Sequence, residues 1–243
     1  MKRLDNELLE RNFFKTKSKA QQAIKSGIIY CNDKQITKCG YEVSELTNIE
    51  IKGEVLKYVS RGGLKLEKAL ETWNINLQGK TMIDIGSSTG GFSDCAIQNG
   101  VEKIYAIDVG TNQFDKELAK NPKIHLYEQT DFRQMDETVL FDANVITIDV
   151  SFISVTKLTD KINALKNIDE IVCLIKPQFE CGKEIADKFK GVILDKQVHK
   201  DVINKVTEAF ERIEFKSIGV TTSPIKGGDG NVEFLAYFKK DSY

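Results

Sequence analysis

Four acids and one amine recur at the same kind of place in this chain. Asp84, Asp108, Asp131, Asp149 and Lys176 each fall at or just past the end of a short apolar run. Those runs are residues 82–85, 103–107, 124–127, 144–148 and 171–175, and their length and composition predict strands. In open α/β sheets, ligands bind along the carboxyl edge of the strands. One aspartate at such a point reads as a turn or helix cap. Five ionisable groups on a single edge predict a cleft. The first run leads into a turn with Gly86, Gly90 and Gly91, and Phe92, Ala96 and Ile97 follow at helical spacing. Strand, glycine turn and helix form a nucleotide-binding crossover, because glycine lets the backbone come close to a ligand. The spacing G-x-x-x-G-G is not the dinucleotide fingerprint. Asp84 favours a ligand with a positive charge or hydroxyls over a bare pyrophosphate. Asp108 lies 24 positions after Asp84, near the distance of an acid that binds ribose hydroxyls. Asp131 fits an acid that approaches an adenine amino group.

Two further residues invite chemistry. Lys65 follows Gly62 and Gly63 and leads a helix striped by Leu66, Leu70 and Trp73. Read alone, it is a solvated helix lysine; the two glycines suggest backbone passing close to something. Glu233 opens the last strand, V-E-F-L-A-Y-F, which is apolar on both faces and so predicted to be buried. Such a glutamate needs a cationic partner or an opening to the ligand edge. The alternative is a surface hairpin with Glu233 at its solvent boundary. The loop before it, residues 224–231, holds Gly227, Gly228 and Gly230 and could close over that edge.

The elements that must position these groups alternate along the chain. The expected strands are the runs above plus residues 213–220 and 232–238. Helices are expected over 114–119, 155–165 and 198–210, and Leu66, Leu70 and Trp73 mark another. Alternation predicts a mostly parallel sheet with helices on both faces, its final pair of strands antiparallel. Ahead of it lies a small α+β module. Leu4, Leu8 and Leu9 mark one helix; Ser18 is a plausible cap for a second that Gly27 stops; short strands follow. The expected domains are 1–54 and 61–243, with 55–60 as linker.

Composition sets limits. Hydrophobic residues make up 41% of the chain and charged ones 29%, as in an ordinary globular protein. Apolar runs stop at about five residues, far short of the ~20 that span a bilayer. MKRLDNELLE holds no apolar stretch of secretory type. Five cysteines without a C-x-x-C pair and two histidines predict no metal site and a reduced, cytoplasmic protein. Net charge is −1, but residues 1–60 carry 11 basic against 8 acidic side chains. Between Arg11 and Asn32 there are five basic residues and no acid, which suits either a phosphate backbone or a solvated helix face.

D-x-G-x-x-x-G-G after a strand resembles the first motif of S-adenosylmethionine-dependent methyltransferases. The N-terminal pattern R-L-D, S-K-x-x-A-x-x-x-I-x-x-G, then N-D-K, resembles the alpha-L type RNA-binding domain named after a ribosomal small-subunit protein. That likeness places RNA contacts on Arg3, Lys17, Lys19, Gln22 and Lys25, with lysine at position 19 where the family more often has arginine. Five runs together, S-R-G-G-L-K-L-E-K-A-L, D-I-G-S-S-T-G-G-F-S-D, D-V-S-F-I-S, K-P-Q-F-E and G-N-V-E-F-L, resemble the TlyA family. Its members are often labelled hemolysins and are similar to FtsJ-type ribose methyltransferases. The resemblance implies a Rossmann-like sheet of seven strands, the last antiparallel, and a catalytic tetrad on Lys65, Asp149, Lys176 and Glu233. It implies S-adenosylmethionine as cofactor, held by Asp84, Gly86, Ser87, Gly90, Gly91, Phe92, Asp108 and Asp131. It implies ribosomal RNA or subunits as partner, with Arg61 added to the RNA contacts, and transfer of methyl to a cytidine 2′-hydroxyl. No metal, membrane or obligate protein partner is expected. At position 131 the family tends to have asparagine. Two other readings are an RNA-binding assembly factor without turnover and a membrane-lytic hemolysin, which would need a membrane-inserting segment that the sequence does not display.

Overall fold

The structure is a computed structural model that describes residues 1–240; the last three positions of the expected second domain lie outside them. The chain forms two compact units, Met1–Val59 and a second that begins at Ser60.

In the first unit, β1 (Lys2–Arg3) leads into α1 (Leu4–Glu10), followed by α2 (Lys17–Lys25), β2 (Ile29–Cys31), β3 (Lys34–Gln35), β4 (Glu42–Val43) and β5 (Ile49–Ile51). β1 pairs with β4, and β2 lies between β3 and β5, all antiparallel. Leu4 and Leu8 of α1 pack with Ala20, Ala23 and Ile24 of α2 in one core, as their helical spacing requires. Thr16, not Ser18, caps α2: its extended backbone lets its hydroxyl accept the Lys19 N–H. Gly27, at φ +75°, ends that helix where expected. Asp5 is fully buried; the Arg3 fork beside it, joined by the Gln21 amide, holds its carboxyl below the usual range.

The second unit runs α3 (Gly62–Trp73), β6 (Thr81–Ile85), α4 (Gly91–Gln98), β7 (Lys103–Ile107), β8 (Ile124–Tyr127), β9 (Val145–Ile148) and α5 (Thr159–Ala164). It continues with β10 (Glu170–Ile175), α6 (Pro177–Glu180), α7 (Lys183–Lys188), α8 (Lys196–Glu211), β11 (Phe215–Thr222) and β12 (Phe234–Lys240). The seven strands form one sheet in the order β11-β12-β10-β9-β6-β7-β8. β12 is antiparallel to both its neighbours and the β6–β10 pairs are parallel. The central strands are buried on both faces, which is why they read as continuous apolar runs. The chain winds outward from β6 through β8, then returns to β9 on the other side. The order therefore reverses between β6 and β9, and that reversal opens a crevice at their carboxyl ends.

Some expected elements differ. Residues 114–119 do not form a helix; a 3₁₀ turn, Leu118–Lys120, stands there. Asp115 accepts the N–H groups of Glu117 and Leu118, which closes a single turn, and Pro122 follows. β11 begins at Phe215 because Ile213 still donates to Phe210 of the preceding helix. β12 begins at Phe234, because Asn231 and Glu233 are engaged elsewhere. The short α6 and α7 carry no periodic signal long enough to read.

Candidate active site

The glycine turn after β6 is shaped by what surrounds it. Gly86 has φ +80°, and a Cβ there would lie 2.5 Å from the carbonyl oxygen of Asp149. Only glycine lets the ends of β6 and β9 approach so closely. Gly90 also has positive φ and packs against Phe114 and Leu118, while a Cβ on Gly91 would sit 2.3 Å from Ser60 Oγ. These two glycines serve the turn and the seat of α4; Gly91 and Phe92 also line the cavity described next. Ser87 is buried, and its Oγ has no hydrogen-bond partner among the described residues.

Asp84 is a correction to the expected cofactor set. Its carboxylate lies under the turn and lines neither cavity of the crevice. It accepts the hydroxyls of Ser93 at 2.6 Å and Thr147 at 2.9 Å. Burial pushes its carboxyl from 3.8 up to about 6, opposed by those two hydroxyls. A raised carboxyl favours the protonated native state, so stability falls as pH rises from about 4 to about 6. Above that window the buried charge costs about 3 kcal/mol. Asp84→Asn is neutral at every pH. It should flatten the dependence of Tm on pH across this window and raise Tm at pH 7; thermal scans with an unchanged slope would refute this account of Asp84.

Two ion pairs face one cavity of ≈ 400 Å³; Lys65, Glu233 and Lys176 are buried and Asp149 is half-buried. Lys65, one turn into α3, donates to Glu233 Oε2 at 2.6 Å. Lys176 Nζ, at the end of β10, lies 2.6 Å from Asp149 Oδ1, at the end of β9. That contact lacks hydrogen-bond angles, and Lys176 donates instead to Ser151 Oγ at 2.9 Å. Lys65 and Glu233 are 168 positions apart in the chain, yet they and the other pair line the same cavity. Lys65 is therefore not a solvated helix lysine, and Glu233, only 3% exposed, is not at a solvent boundary.

The loop 224–231 holds Glu233 in place. A Cβ on Gly227 would lie 2.6 Å from Glu233 Oε1. Asn231, fully buried, accepts the Ile193 N–H and donates to the Gly191 carbonyl, both at 2.8 Å. Its own carbonyl accepts the Gly227 N–H. Asn231 thus fixes the loop from two sides. Outside the cavity lining, buried Glu180 of α6 accepts from Ser154 Oγ and from the Val155 N–H at 2.8 Å. Burial pushes its carboxyl up, against those two donors. This staples the K-P-Q-F-E turn to the D-V-S-F-I-S loop.

A second cavity of ≈ 490 Å³ shares Gly86, Ser88, Asp149, Ser151 and Phe152 with the first. Asp108 lines it and accepts the N–H groups of Ser88 and Gly110, each at 2.7 Å. Its carboxylate is fixed by backbone from both sides. Asp131 also lines it, clasped by the Arg133 fork with its shortest contact at 2.6 Å, which holds its carboxyl low. Among the described residues, no group of three or more His, Cys, Asp or Glu could hold a metal ion, and no helix is long and apolar enough to cross a membrane.

Residues 58–240 match the family model of FtsJ-like methyltransferases, three quarters of the chain. The chain belongs to that family. Residues 2–46 match the S4 domain. YqxC of Bacillus subtilis, named as a candidate rRNA methyltransferase, is 42% identical over 97% of this chain and 84% of its own length. The 16S/23S rRNA (cytidine-2′-O)-methyltransferase TlyA of Mycobacterium tuberculosis is 31% identical over 98% of this chain and 89% of its own. A solved structure from Streptococcus thermophilus, described as a hemolysin, superposes with a TM-score of 0.75 at 37% identity, covering 99% of this chain and 89% of that one.

In this FtsJ-like methyltransferase the residues expected to meet RNA are placed unequally. In the S4-type unit Lys19 and Lys25 are exposed. Lys17 donates to Asn6, Arg3 is committed to Asp5, and Gln22 gives its amide N–H to the Tyr58 carbonyl at 2.6 Å. Arg61 is exposed on the rim of the first cavity. The sequence reading missed Ser151, Phe152, Gln178 and Asn231. Phe152 is 91% exposed at φ +65°, its ring 5.1 Å from that of Phe179. An aromatic three positions past a strand-end aspartate was the available signal. Asn231→Ala should leave the fold intact and release the loop, lowering kcat on the order of 10²-fold through a displaced Glu233. Steady-state kinetics with unchanged kcat would remove this role.

Proposed function

We propose that this FtsJ-like methyltransferase transfers a methyl group from S-adenosylmethionine to the 2′-hydroxyl of a cytidine in ribosomal RNA. One observation carries the reading: two amines and two carboxylates, paired, three of them buried and Asp149 half-buried, converge on the cavity at the sheet's reversal point. The crevice fits the cofactor. Ser87 Oγ is a buried hydroxyl awaiting a partner, and Gly86 keeps the turn flat where a side chain would intrude. Asp108 and Asp131 offer carboxylates on the wall of the second cavity, where they would take the ribose hydroxyls and the adenine amino group. When bound, S-adenosylmethionine supplies an electrophilic methyl on a sulfonium.

The protein's part is to present the hydroxyl and take its proton. A ribose hydroxyl is a weak nucleophile at neutral pH and must lose its proton as the new C–O bond forms. Lys176 Nζ, in the free-amine form, receives that proton and becomes the ammonium that Asp149 faces. Asp149 and Ser151 fix the position of the amine. Lys65, held by Glu233, donates to the ribose side of the site and steadies the attacking oxygen. Much of the rate comes from alignment, since a rigid, prepaired tetrad makes the encounter effectively unimolecular. Phe152 and Phe179 give the nucleobase an apolar surface beside the reacting ribose. Exposed Lys19 and Lys25 meet phosphate.

The test is transfer of tritiated methyl from S-adenosylmethionine to ribosomal subunits by the purified full chain. Label in ribosomal RNA is expected. Cofactor binding with no label in either subunit or in free ribosomal RNA would contradict the reading and favour an RNA-binding protein without turnover.

A further inference from the structure

The loop that follows Asp108 borders the second cavity with Val109, Gly110 and Gln113. No helix carries it, since the helix expected at 114–119 is replaced by a single turn. Its shape rests on the residues just past β8. The Thr130 N–H donates to the Asp108 carbonyl and the Gln129 N–H to the Gly110 carbonyl, both at 2.9 Å. Asn112 has φ +54°, and three successive N–H groups, of Asn112, Gln113 and Phe114, converge on the Glu128 carboxylate. Glu128 Oε1 accepts the Gln113 N–H at 3.1 Å and, less closely, the Phe114 N–H at 3.5 Å. The Asn112 N–H, with those two, holds the Glu128 carboxyl below the usual range. Beyond this point the loop reaches the glycine turn. The Asp115 N–H donates to the Thr89 carbonyl, and a Cβ on Gly90 would lie 2.9 Å from the Phe114 ring. Glu128 itself does not line the cavity.

We infer that Glu128 is a positioning residue for S-adenosylmethionine: its carboxylate folds the 109–114 loop into its binding shape before the cofactor arrives. The inference rests on the cofactor half of the reading above and not on its RNA half. Successive N–H groups that point to one spot form an anion site. Here the anion belongs to the chain itself, so the loop is held without a ligand. Asp108 depends on that loop. One of its oxygens accepts the Ser88 N–H of the glycine turn and the other the Gly110 N–H. The loop is closely fitted there, because a Cβ on Gly110 would lie 2.4 Å from Gln113 Nε2. Without Glu128 three backbone donors lose their acceptor, and the loop must be ordered when the cofactor binds. Ordering the backbone of one residue costs about tenfold in an equilibrium constant. A loop that is already folded keeps that cost out of binding.

The experiment is calorimetric titration of the full chain with S-adenosylhomocysteine, which is not turned over. Glu128→Ala should bind about tenfold more weakly than wild type. Glu128→Gln keeps an acceptor oxygen at the same reach and should stay within about threefold. In methyl transfer to ribosomal subunits, Glu128→Ala should raise KM for S-adenosylmethionine by a similar factor. Its kcat at saturating cofactor and its KM for the subunits should match wild type. Wild-type affinity in Glu128→Ala overturns the inference. So does a loss of affinity that Glu128→Gln shares in full. So does a fall in kcat and Tm with affinity unchanged, the result expected of a residue that only holds the fold. A wild-type protein that binds no cofactor refutes the reading beneath, and the inference falls with it. A wild-type protein that binds cofactor but methylates no RNA refutes the RNA half alone, and the three affinities still decide the role of Glu128.

Discussion

Lys176→Ala should keep the cofactor and lose the reaction. Lys176 lines the first cavity and not the second, where Asp108 and Asp131 stand, so its removal leaves those carboxylates untouched. The lost amine is the proposed proton acceptor. Removing a positioned general base costs about 10²–10⁴-fold. Here the loss should fall near the upper end, because the substitution also strips Asp149 of its only ion-pair partner among the described residues. Calorimetric titration with S-adenosylmethionine should give an affinity within a few-fold of wild type, and single-turnover methyl transfer should fall by about three orders of magnitude. A variant that binds cofactor and transfers at the wild-type rate would remove Lys176 from the mechanism.

The second large effect concerns Lys65 and Glu233, whose pair bridges α3 and the loop before β12. Breaking a buried ion pair by deleting one partner leaves an uncompensated charge and costs about 3–5 kcal/mol. Lys65→Met and Glu233→Leu should each lower Tm of the second unit by roughly 10 °C. Together they leave no orphan charge, so the double variant should recover much of that loss. Activity should behave differently. If the pair acts on the substrate, the double variant stays as inactive as either single one. Recovery of methyl transfer alongside recovery of Tm would mean that the pair only holds the fold together.

The two predictions divide the site as the structure does. The Asp149–Lys176 pair is supplied by neighbouring parallel strands, and its geometry follows from β-sheet register. The Lys65–Glu233 pair depends on a helix outside the sheet and on a loop fixed by Asn231. That second half is the more fragile, because few groups hold the loop and several of its residues are glycines.

This division also explains what could be read from residues alone. Strand-end acids were legible because a parallel sheet buried on both faces leaves long apolar runs, and the chain must turn where each run stops. Glu233 stood out because a carboxylate next to a buried strand requires a partner. Lys65 did not stand out by itself. Its helix has an ordinary amphipathic stripe, and burial of the amine arises from a residue 168 positions away. Asp84 misled for a related reason. Its position at a strand end suggested the cleft, but Thr147 and Ser93 draw it into the core, and only coordinates show which way a strand-end side chain turns. Gln178 and Asn231 were invisible because amides carry no charge pattern and no periodicity. The role of Asn231 comes from its partners, the Ile193 N–H and the Gly191 carbonyl. The absent helix before β8 reflects Asp115 closing a single turn, a local hydrogen bond that outcompetes propensity.

The most direct test is the chemical form of the product. Ribosomal RNA methylated by the purified protein should be digested to nucleosides and the label identified by mass spectrometry. The account predicts 2′-O-methylcytidine, with the label absent when Lys176→Ala replaces wild type. Label on a base carbon or nitrogen, or on the ribose in equal measure with and without Lys176, would contradict it.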